Sequence, residues 1–132
     1  MEKTQDTLRD LIARAEASAG PDREIDAEIA QVLGWGGVHM SPLDTSICAG
    51  RPGNGRAWEH VPAYTASLDA ALTLVPAGFW WETCAPYGDP AKQARASMFN
   101  ASRQAGSARA NTSPLALCAA ALRARLAGME GE

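Results

Sequence analysis

The run SPLALCAAALRARLAG, residues 113–128, restricts the possible folds of this chain more than any other segment. Ser113 supplies an N-cap and Pro114 suits the first helical position, where a missing N–H leaves no bond unmade. Leu115, Cys118, Ala119, Leu122 and Leu126 then recur at helical spacing along one stripe. A stripe this rich in small apolar side chains has to be covered, so the remaining segments must furnish its neighbours.

Upstream, Leu8, Leu11, Ile12 and Ala15 fall at i, i+3, i+4 and i+7, and Gly20-Pro21 closes the pattern, which predicts an amphipathic helix. Pro21 at an initial helical position, with Asp22 and Glu24 at the positive end of the dipole, opens a second helix whose stripe is Ile25, Ile29, Val32 and Leu33. Residues 1–34 are therefore expected to form a helical hairpin. Residues 35–62 change character: they are dense in Gly and Pro, with GRPGNG a loop by composition and one short hairpin expected from residues 38–40 and 56–60. A long irregular stretch inside a small domain marks either a functional loop or short strands hidden by their composition.

Residues 63–132 read as an α-β-β-β-α unit. In YTASLDAALTLVP, Thr65 is the expected cap, Leu68, Ala71, Leu72 and Val75 the buried face, and Pro76 the stop. FWWETC follows with an aromatic on each face, the pattern of a strand covered on both sides. After the turn APYGDP, KQARASMFN alternates Ala94, Ala96 and Met98 against Gln93, Arg95, Ser97 and Phe99, and a third strand is expected around GSARA. The whole predicts a single α+β domain over 1–132, with a small, mainly antiparallel sheet and helices on both faces.

With 46% hydrophobic residues the chain can build a core, but no apolar run approaches the roughly 18 residues of a membrane span. The first ten residues, MEKTQDTLRD, are charged where a secretory signal is apolar, so a cytoplasmic location without membrane contact is expected. Cys48, Cys84 and Cys118 are odd in number and form no C-x-x-C pair, which argues against disulfides and zinc. Cys84 and Cys118 read as small buried hydrophobes, and neither a metal nor a cofactor is expected. The sequence has no G-x-S-x-G elbow or kinase-type motif set, so no catalytic residues are assigned and the chain is not expected to be an enzyme.

Charge is uneven. Residues 1–34 carry eight acids and four bases, residues 35–90 five and two, and residues 91–132 two acids and six bases, which makes the last third the basic part. GRPGNGR, between Gly50 and Arg56, brings backbone amides and two guanidinium groups together as an anion site would, though without the G-K-[ST] ending of a P-loop. Trp80 and Trp81 read as core, whereas Trp35 and Trp58 flank the irregular segment, where an aromatic beside an arginine can stack a nucleotide ring. Trp35, Arg51, Arg56 and Trp58, with Arg95 and Arg109 on the strands, are the candidate ligand-binding residues.

Two resemblances bear on function. From residue 64 onward the element order is similar to a double-stranded-RNA-binding domain, and GSARANTSPLALCAAALRAR resembles that family's last strand and helix. Where that family places a lysine cluster at the start of the last helix, this chain has NTSPLAL, with no base. GPDREIDAEIAQVLGW, YTASLDAALTLVP, GFWWE and SPLALCAAALRARLA together resemble the phage ABA sandwich domain of small phage and prophage proteins. That resemblance implies a three-layer α/β/α sandwich, a bacterial host cytoplasm and no characterised enzymatic activity. The expectation is a non-enzymatic accessory protein, a homo-oligomer that sequesters a small anionic, nucleotide-type ligand in host-defence evasion. The alternatives are nucleic-acid binding and protein–protein inhibition of a host enzyme.

Overall fold

The computed structural model describes residues 2–44, 47–53, 57–84, 93–100 and 104–130. The expected turn at 85–90, and Arg56 with its expected strand start, lie outside the described residues. Helix α1 (Glu2–Ala17) buries Leu8, Leu11, Ile12 and Ala15, the four positions its spacing selects. Helix α2 (Arg23–Val32) begins two residues later than Pro21 suggests. Asp22 is its N-cap and accepts from the amides of Glu24 and Ile25, so the proline precedes the cap instead of occupying the first turn.

Three strands, not one hairpin, follow: β1 (Gly36–Met40), β2 (Cys48–Arg51) and β3 (Glu59–His60), antiparallel in that order, with Met40 opposite Cys48 and Ala49 opposite His60. Composition conceals β2, because Gly50 reads as a turn residue. In the fold Gly50 is buried in the strand, and a Cβ there would stand 2.8 Å from Val38 Cγ2 and 3.1 Å from the Gly36 carbonyl. The glycine serves a close approach of two strands, so Gly50 and Arg51 belong to a sheet and not to an anion-cradling loop.

Asp26 faces inward from α2, fully buried, and gathers the surrounding chain. Its Oδ1 accepts from the Thr65 amide (2.9 Å) and hydroxyl (2.8 Å), and its Oδ2 from Arg23 Nη1 (2.8 Å). Arg23 also donates to the carbonyls of Val61 (2.9 Å) and Pro62 (3.3 Å), while the Asp22 amide donates to Thr65 Oγ1 (2.8 Å). Thr65 is thus no helix cap. Helix α3 (Leu68–Leu72) is capped by Ser67, which accepts from the Ala70 amide.

The second sheet comprises β4 (Trp80–Cys84), β5 (Ala94–Phe99) and β6 (Gln104–Ala110), antiparallel in the order β4-β5-β6. Helix α4 (Ser113–Glu130) is capped by Thr112, one residue before the expected Ser113, through a bond from the Leu115 amide (3.4 Å). Every residue from Leu115 to Leu122 is fully buried, so the expected single stripe is in fact the whole circumference. The sheet, α1 and α3 all pack against α4, and its alanines let them approach closely. At Gly106 the approach leaves no room for a side chain: a Cβ would lie 2.6 Å from the Ala120 carbonyl oxygen and 3.0 Å from the Ala124 amide nitrogen.

The α+β class is as expected, with four helices and two small antiparallel sheets among the described residues. On β4–β6 the packed side is the one that faces α4. Ala94, Ala96, Met98, Ala108 and Ala110 are buried on the side of α4, whereas Arg95 and Arg109 on the other side are exposed. β4 is an edge strand and not a two-sided core strand, which leaves Trp80 56% and Trp81 39% exposed. Cys84 is exposed with them, contrary to its reading as a buried hydrophobe, while Cys48 and Cys118 are buried.

Two substitutions test this packing. Asp26→Ala removes the ion-pair partner of Arg23 and the acceptor of the buried Thr65 amide, and is expected to cost about 3 kcal/mol in urea unfolding. Gly106→Ala, which in an uncrowded strand would stabilise, is expected here to destabilise by about 1–3 kcal/mol, read as a lower urea midpoint at unchanged m.

Candidate ligand-binding site

Of the six residues singled out in the sequence, Arg51 and Trp58 meet at the first sheet, and Arg95 and Arg109 meet on the second. On the first sheet Arg51 lies over the Trp58 ring, 4.9 Å from its centroid, and His39 meets the same ring edge-on at 5.4 Å. Gly37, at φ +62°, sits under the indole, where a Cβ would come within 2.8 Å of Trp58 Cη2. The ring is thus held by its own surroundings, a guanidinium, an imidazole and a close backbone, while 49% of the residue stays exposed. Trp35 is half-buried where α2 passes into β1, packed against the core. Arg56 lies outside the described residues.

The second group is on the open face of β4–β6. Arg95 stands directly opposite Arg109, and Ser97 directly opposite Ser107. Both arginines are exposed, and among the described residues neither forms an ion pair. Like charges facing one another across a strand pair cost free energy in the unliganded sheet. Arg123 closes the β6 side by holding Glu16 with both terminal nitrogens and donating to the Ser107 carbonyl (2.9 Å). Together these residues line a cleft of about 320 Å³, open to solvent, with the guanidinium groups of Arg95 and Arg109 at one side and the Glu16–Arg123 pair at the other.

Farther along the same face, Trp80 opposes Phe99, and their rings lie 6.4 Å apart and 18° from parallel. Glu82, opposite Ser97, separates this aromatic end from the arginine end. Sequence reasoning selected Arg95 and Arg109 but passed over Ser97, Ser107, Trp80 and Phe99. The alternation that buries Ala94, Ala96 and Met98 already put Arg95, Ser97 and Phe99 together on the opposite side.

No protein-family model matches the chain, and no curated protein or solved structure matches it either. Among the described residues no group of three His, Cys, Asp or Glu side chains is placed to hold a metal, and no helix is long and apolar enough to cross a membrane.

Burial keeps two core thiols and one phenol protonated. Burial pushes the Cys118 thiol well above the ordinary thiol range, with the Asp26 carboxylate adding to it, and Cys118 Sγ donates to the Tyr64 carbonyl (3.2 Å). Burial likewise raises Cys48. The Tyr64 phenol is pushed up to about 12, by burial first and Asp26 second. Each group keeps its proton longer in the folded state than in the unfolded chain, so the stability they contribute is full below the unfolded values and lost as pH rises through them. Thermal unfolding is expected to be flat near neutrality and to fall above about pH 9, with Tyr64 alone accounting for about 2–3 kcal/mol between pH 10 and 12. Tyr64→Phe should flatten that limb of a Tm–pH curve.

Proposed function

We propose that this protein is a non-enzymatic binding protein that sequesters a nucleotide-type anion on the open face of its second sheet. The observation that supports this best is the Arg95–Arg109 pair, two guanidinium groups opposite each other without an ion-pair partner among the described residues. A phosphate between them relieves their repulsion and accepts from both, with the hydroxyls of Ser97 and Ser107 beside it. The cleft of about 320 Å³ is at the lower end of small-ligand sites. The protein would then be an accessory factor of the phage or prophage type that the ABA-sandwich-like strings imply, acting in the host cytoplasm. Duplex docking at the last helix is disfavoured, since α4 starts with uncharged residues and buries Leu115 onward.

Removing one arginine should act in opposite directions on stability and binding. Arg95→Ala and Arg109→Ala are each expected to raise the unfolding free energy of the free protein by about 0.2–1 kcal/mol. Each should also weaken nucleotide binding at least tenfold in titration calorimetry at low salt. Absence of heat with every nucleotide tested, or unchanged affinity in the double variant, would sink the proposal.

A further inference from the structure

We infer that the ligand is a short single strand of nucleic acid lying along β5, and not one mononucleotide; this rests on the reading just given and names its ligand class. The basic end of the open face, Arg95 and Arg109, and the aromatic end, Trp80 and Phe99, are joined by the same strand. Four residues of β5 separate Arg95 from Phe99, which is about 13 Å at roughly 3.3 Å per residue. Stacked nucleotides advance about 3.4 Å each along a strand, so engaging both ends at once takes roughly four nucleotides. A single base attached to a single phosphate reaches one end or the other.

The chemistry of each end suits one part of a strand. The guanidinium groups and serine hydroxyls take backbone phosphate, which carries no sequence information. Trp80, more than half exposed, offers a ring face to a base, and base–aromatic stacking tolerates any sequence because every base has a π-face. Glu82 lies between the two ends on the β4 side, so phosphates would run nearer β5 and β6, and its carboxylate can accept from the exocyclic amine of a base. A duplex hides the base faces that the aromatic end requires, which selects a single strand.

The test uses the full chain and fluorescence anisotropy with dye-labelled probes of one, two, four and eight nucleotides, plus an eight-base-pair duplex. Affinity is expected to rise at least tenfold from one to four nucleotides and to change little beyond, with the duplex weaker than the eight-nucleotide strand. Trp80→Ala, at an exposed position, should lower tetranucleotide affinity about tenfold, with circular dichroism confirming the fold. Arg95→Ala should make the log–log salt dependence shallower by about 0.7. Equal affinity for one and four nucleotides, or for strand and duplex, would overturn this inference while leaving anion binding at the arginine pair intact. Failure of every probe to bind would overturn both.

Discussion

The contact between α4 and β6 sets the spacing of everything else. A helix buried around its full circumference from Leu115 to Leu122 gives up all solvent contact for two turns, and only small side chains let partners close on every side. Gly106 marks the tightest point, where strand and helix backbones meet with no side chain between them. Because α4 takes up the inner face of the second sheet, the outer face is left to Arg95, Arg109 and the aromatic pair. The candidate site is thus a by-product of where the helix lies.

A second constraint joins the N-terminal half to the rest. Asp26, Arg23 and Thr65 form a closed set of bonds between α2 and the chain that enters α3, reaching the carbonyls of residues 61 and 62 on the way. A buried carboxylate is tolerable only with such complete satisfaction. The first sheet is thereby fixed to α2 although β3 is only two residues long.

Much of this was legible in the sequence. Helical periodicity located α1, α2 and α4, and the alternation in residues 93–99 gave the orientation of β5 and with it the exposure of Arg95. The failures have particular causes. Thr65 and Ser67 are both good caps, and only the tertiary bond from Thr65 to Asp26 decides between them. Gly50 reads as a turn because composition does not distinguish a flexible glycine from one required by a neighbouring strand. Trp80 and Trp81 read as core because hydrophobicity does not reveal that β4 ends the sheet. Nor do residue types show that Arg51 lies over the Trp58 ring, a contact across the first sheet region that only the fold brings about.

The facing arginines also bear on how this protein would respond to selection. Because Arg95 and Arg109 repel each other in the empty sheet, any change that neutralises one of them makes the free fold more robust. A library screened for heat resistance alone would discard that pair early, and would lose the candidate site while gaining stability in the free protein. Persistence of both arginines among natural variants, against that standing pressure, would be a record of use.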